Sequence, residues 1–146
     1  MDYRLWVMSY KLSIIYRLKL KKLKMQNEKT LITEKSFELA VRIVRLCQYL
    51  KKNKKEYDLS RQLLRSGTSI GANVREAKHG ESRPDFIHKL AIAQKEAIET
   101  LYWLELLKAT DFLNQTEFDS IHKDASSVWR ILTAIIKTSK LNNFNP

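Results

Sequence analysis

Helix breakers are scarce in this chain: 3 glycines and 2 prolines among 146 residues. Long helices with short connections follow. No stretch alternates apolar and polar residues for long, and no Asn-Gly or Asp-Gly pair marks a hairpin, which excludes an all-β fold. Cys47 is the single cysteine, so no intramolecular disulfide can form. It lies in a helical apolar pattern, reads as a small core residue and fits a reducing cytoplasm. An uninterrupted apolar run is also missing. Lys11, Arg17 and Lys19 break the segment Leu5 to Lys24 before the roughly 18 apolar residues of a membrane span accumulate. That segment lacks the small-residue cleavage site of a signal peptide, and its charges follow the apolar part. There is no glycine loop to cradle a phosphate.

Positive charge is plentiful, with a formal net charge of +11. More than half of it sits in residues 1–25, where Arg4, Lys11, Arg17, Lys19, Lys21, Lys22 and Lys24 face Asp2 alone. Such a balance favours anionic partners: RNA, DNA or a membrane surface. Leu5, Met8, Leu12 and Ile15 recur at helical spacing in the same segment. Three readings stand: an amphipathic helix for a surface or partner, a basic nucleic-acid arm, or translated upstream sequence with Met25 as the natural start. The expected organisation is a basic extension over 1–27, helical or disordered, a bundle over 28–141 and a tail over 142–146.

Beyond the extension, the apolar spacing predicts four helices. The first spans about Thr33 to Lys52, capped by Thr33 or Thr30, with Leu39, Ile43, Leu46 and Leu50 in one stripe. The second spans about Leu59 to Gly80 with Asp58 as N-cap. Its core stripe is Leu59, Leu63, Gly67, Ile70, Val74 and Ala77. Gly67 and Gly71 inside this helix each cost about 1 kcal/mol against Ala, which close approach of a neighbouring helix would explain. The third starts at Ser82 and Pro84 and runs to about Thr110, with Phe86, Leu90, Ala93, Ala97, Leu101 and Leu104 inward. The fourth opens at Asn114 and ends near Ser139, with Ile121, Ala125, Val128, Leu132 and Ile135 inward. The fold class is all-α: an antiparallel up-down-up-down four-helix bundle.

Polar residues supply the candidate sites. Lys35, Arg42, Arg45 and Lys52 recur on one face of the first helix, and Lys54 and Lys55 extend it, a strip suited to phosphates or simply a solvated face. Arg65, Asn73 and Glu76, with Ser69 nearby, fall at the flank of the second helix, where a structural hydrogen-bond cluster is the expectation. On the third helix Ile92, Glu96, Glu99 and Trp103 oppose the core face. An outward Trp and Ile point to a subunit interface, with Ile92 and Trp103 as its apolar contacts.

Catalytic patterns are missing. Ser69 has no histidine at a recognisable spacing. His79, His88 and His122 are too scattered for zinc, and Glu81, Asp85 and His88 straddle the Pro84 helix start. Glu96 and Glu99 lack the repeated Glu-x-x-His of a di-metal bundle. The chain reads as no enzyme, with no catalytic residues, metal or cofactor.

Several segments carry a resemblance. They are Arg65, Ser69-Ile70-Gly71-Ala72-Asn73 and Glu76, then Asp85-Phe86-Ile87-His88-Lys89-Leu90, then Lys95-Glu96-Ala97, Glu99-Thr100 and Tyr102-Trp103-Leu104. Over about Thr33 to Leu141 the chain resembles the bacterial four-helix-bundle family named for proteins encoded in intervening sequences of 23S ribosomal RNA genes. Many relatives have Pro where Gly71 stands and Gly where Ala77 stands. The family is similar to the accessory proteins of diversity-generating retroelements, basic five-fold barrels that work with a reverse transcriptase and its RNA. The resemblance implies a homo-oligomer, a pentamer, and marks Arg65, Ser69, Asn73, Glu76, Glu96 and Glu99 as family signature rather than catalytic. The expected function is a cytoplasmic, non-enzymatic bundle that binds RNA or a reverse-transcriptase-like partner through basic surfaces. The alternative is a protein assembly module with no nucleic-acid role. A membrane partner is not expected.

Overall fold

The first glycine of the chain is Gly67 and the first proline is Pro84. With nothing to stop it, the chain forms one helix, α1, from Tyr3 to Tyr49, which includes both the basic extension and the first bundle helix. The structure is a computed structural model that describes residues 3–141, with side chains from Met8 onward. Thr30 and Thr33 are therefore not caps. Their hydroxyls donate to the carbonyls of Gln26 and Lys29, at 3.1 and 2.9 Å, the backward bond that a hydroxyl makes inside a helix.

α1 ends in one wide turn, Leu50–Lys54, closed by Lys55 in the left-handed region at φ 55°. Then follow α2 (Asp58–Lys78), α3 (Arg83–Ala109) and α4 (Gln115–Leu141). The expected tail over 142–146 lies outside the described residues. The start of α2 differs from the expected Asp58 cap. Glu56 reaches forward instead, accepting from the amides of Leu59 and Ser60 at 2.7 Å each and from the Ser60 hydroxyl at 2.6 Å. Burial pushes the Glu56 carboxyl up, but these bonds and one from the Asp58 amide outweigh it, and its pKa lies below the ordinary value. α3 begins as expected, with Ser82 Oγ accepting from the Asp85 amide and Pro84 in the first turn. α4 opens on a reciprocal capping box between Asn114 and Glu117, both bonds 2.9 Å.

Each helix packs on its neighbour in sequence, and α4 closes back on α1. Cross-helix pairs run in opposite senses: Ile43 against Gly67 with Ser36 against Gly71, and Ser66 against Thr100 with Glu76 against Lys89. On α3 and α4, Gln94 meets Thr133 while Glu105 meets His122. The result is an antiparallel four-helix bundle. Leu39, Ile43, Leu50, Leu63, Ile70, Leu104, Leu107, Leu132 and Ile135 form its fully buried interior. Each such side chain contributes about 1.5–3 kcal/mol on leaving water. Cys47 is 2 % exposed, its Sγ donates to the Ser60 carbonyl, and burial raises its pKa to about 11. The thiol stays protonated and inert at neutral pH.

Candidate nucleic-acid interface

The residues of the proposed α1 strip differ in how free their charge is. Lys35 pairs with Glu38 at 3.4 Å. Arg42 is a structural tie between α1 and α4: its guanidinium is paired with Asp124 and also bonds the Ser120 hydroxyl at 2.8 Å. Arg45 is exposed beside it, and Lys52, Lys54 and Lys55 are exposed at the end of α1. The strip thus reduces to four cations gathered toward one end of the bundle.

The arm of α1 carries the opposite concentration. From Met8 to Lys24 every residue is exposed, and Lys11, Arg17, Lys19, Lys21, Lys22 and Lys24 occur there without a single carboxylate. Met8, Leu12, Ile15, Leu20 and Leu23 are exposed on the same stretch. Where the arm passes the α2–α3 turn it borders an open cleft of about 790 Å³. Lys21, Lys22, Lys29, Lys78 and Arg83 line it, with Glu81 as the acidic member and Phe86 and Ser139 in its wall. Sequence reasoning missed this site, because its parts come from all four helices and no local pattern connects them.

The flank of α2 does not gather into one polar cluster. Arg65 and Glu76 are eleven positions apart, about 16 Å along a helix axis. Asn73 Nδ2 donates to the carbonyl of Ser69 in its own helix at 2.9 Å. Glu76 takes Lys89 of α3 at 2.6 Å, which holds that ammonium above its ordinary pKa. Arg65 lies near enough to Glu96 to lower its pKa, but burial and the neighbouring Glu99 act more strongly, and the Glu96 carboxyl ends above the usual range. A buried Ser66–Thr100 hydrogen bond of 3.0 Å ties α2 to α3.

Ile92, Glu96, Glu99 and Trp103 are all half-buried on α3. Trp103 Nε1 donates to Glu99 at 3.1 Å, and its ring meets Tyr102 edge-on at 4.9 Å. Ile98 and Tyr102 beside them are exposed.

Glu105, His122 and Ser126 occur in the order of a catalytic triad, at 3.3 and 3.4 Å. The Ser126–His122 contact, at 3.4 Å, exceeds the usual reach of a nucleophile–base bond. Ser126 lies inside α4, where backbone amides are committed to the helix and cannot form an oxyanion hole. The arrangement links α3 to α4 at the surface. Among the described residues no three His, Cys, Asp or Glu side chains converge as a metal site requires, and no helix is long and apolar enough to cross a membrane.

Comparison with known proteins addresses ancestry. A crystal structure from Bacteroides thetaiotaomicron VPI-5482, described as a protein of unknown function from the S23 ribosomal protein family, matches with 50% identity and a TM-score of 0.75. The match covers 75% of this chain and 98% of that one. No curated protein matches. The family model of the 23S rRNA-intervening sequence protein matches residues 28–134, through all four helices of the bundle, and the chain belongs to that family.

Proposed function

We propose that this protein is a cytoplasmic, non-enzymatic oligomer that binds RNA through the basic surfaces of α1. One observation carries the reading: seventeen consecutive exposed positions of α1, Met8 to Lys24, with six cations and no carboxylate. Charge left unpaired on a rigid rod is what a phosphate backbone neutralises. The exposed cations Arg45, Lys52, Lys54 and Lys55 extend the same helix's charge toward its other end.

Reversing Arg45, Lys52 and Lys54 to Glu tests the surface by gel shift with a structured RNA. Affinity should fall about tenfold or more, with the far-UV circular dichroism unchanged. Arg42 is left intact, because a Glu there would face Asp124 and strain the α1–α4 contact. Unaltered binding would remove this end of α1 from the interface.

The oligomer is supported by a surface stripe of α3, where Ile98 and Tyr102 are exposed beside the half-buried Ile92 and Trp103, the latter packed partly against the core rather than turned outward. A ring of five is the assembly expected of it. Trp103→Ala should lower the mass measured by light scattering while helix content stays constant. Loss of helix content would instead assign Trp103 to the stability of the single chain. The same stripe favours a second reading, a pure assembly module. Capture of a defined protein that survives nuclease, with no RNA bound, would select that one.

A further inference from the structure

The basic cleft between the arm and the α2–α3 turn has features that an ordinary solvated face lacks. Two of its cations are positioned without being neutralised. Lys29 Nζ rests 4.6 Å from the centroid of the Phe86 ring. Arg83 donates to the backbone carbonyl of Ser139 at 2.9 Å. A ring and a carbonyl bring no formal charge, so each cation keeps its full charge while losing much of its freedom. Elsewhere Lys35, Arg42 and Lys89 are matched to carboxylates. Among the described residues, none of Lys21, Lys22, Lys29, Lys78 and Arg83 is in an ion pair.

Five cations around one concavity repel one another, and its low-dielectric walls focus the resulting potential. Glu81 offsets only part of it. Ser139, in the wall, is 2 % exposed, and its Oγ has no hydrogen-bond partner. A buried hydroxyl is normally satisfied, and this one has neither a donor nor an acceptor beside it. The volume of about 790 Å³ lies within the range of ligand clefts and admits a nucleotide unit.

We infer that this cleft seats the phosphodiester backbone of a bound RNA strand, with Lys29 and Arg83 as the fixed contacts and Lys21, Lys22 and Lys78 as the mobile ones. The inference rests on the RNA reading above and localises it. A charge removed here therefore weakens binding more than a charge removed at the far end of α1.

The experiment compares charge-matched variants of the full chain for affinity to one structured RNA at fixed low salt. Lys78→Gln with Arg83→Gln should weaken binding about tenfold or more. Lys52→Gln with Lys54→Gln, at the far end of α1, should weaken it less than about threefold. Arg83→Gln also loses the Ser139 contact, so Lys22→Gln with Lys78→Gln, neither bonded to the bundle, serves as the second cleft variant and should show the same excess. Equal losses at cleft and far end would overturn the cleft while leaving RNA binding intact. A wild-type chain that ignores RNA but co-floats with phosphatidylserine vesicles would overturn both, and would assign the cations to lipid headgroups.

Discussion

Gly67→Leu should unfold the bundle or lower its melting temperature by about 10 °C or more. A Cβ at Gly67 would collide with the Cδ1 of Ile43 and lie 3.0 Å from its Cγ2. Ile43 is fully buried and has nowhere to retreat. A leucine adds three further carbons, and overpacking of this kind costs about 1–3 kcal/mol or more. Gly71, one helical turn on, makes the informative contrast. A Cβ there would meet the Ser36 carbonyl oxygen at 3.5 Å, an ordinary contact. Gly71→Ala should therefore keep the fold and gain up to about 1 kcal/mol of helix propensity. Thermal melts of both variants check the pair. An undisturbed melt for Gly67→Leu would mean that α1 is not seated on α2 as described.

The second large effect belongs to Glu56, which is 8 % exposed yet ionised at the head of α2. Glu56→Ala strands the amides of Leu59 and Ser60 and the Ser60 hydroxyl, and should cost about 1–2 kcal/mol at neutral pH. The pH dependence has a definite sign. The folded pKa lies below the ordinary carboxylate value, so the stabilisation is complete above that value. It disappears as pH falls through the lowered folded pKa. Wild type and Glu56→Ala should thus differ in urea midpoint at pH 7 and converge in acid. Glu96 has the opposite sign: burial and Glu99 raise its pKa, so folding disfavours its charged form relative to the unfolded chain. Glu96→Gln should not destabilise the single chain at pH 7. A gap for Glu56→Ala that persists unchanged in acid would show that its carboxylate is not the cap.

The core was legible in the sequence because helical spacing reports burial directly. Leu59, Leu63, Gly67, Ile70, Val74 and Ala77 were expected inward on α2, and all are buried except Leu59, which is half-buried in the first turn. Ile121, Ala125, Val128, Leu132 and Ile135, expected inward on α4, are all buried. Helix starts were less legible where several residues competed to cap. Thr30 and Thr33 have good capping chemistry, but a hydroxyl bonds backward equally well inside a continuous helix, and no breaker separates the arm from the bundle. Asp58 outranks Glu56 as a capping type. Glu56 takes the role because the left-handed turn at Lys55 swings its carboxylate over the first amides of α2.

Long-range polar partners were not legible at all. Arg42 looks like one of a row of free cations until α4 brings Asp124 against it, 82 positions away. The cleft shows the converse. Lys29, Lys78 and Arg83 belong to no periodic strip, yet packing gathers them around one concavity. Spacing shows which face of a helix a charge occupies, while tertiary packing decides whether a carboxylate meets it.

The most direct test of the RNA reading is the affinity of the full chain for a structured RNA across a salt series. The account predicts binding at low salt and a steep linear fall of log affinity with log salt, the signature of several phosphate contacts. Absence of binding at low salt, or an affinity indifferent to salt, would contradict it and leave the bundle as an assembly module for protein partners.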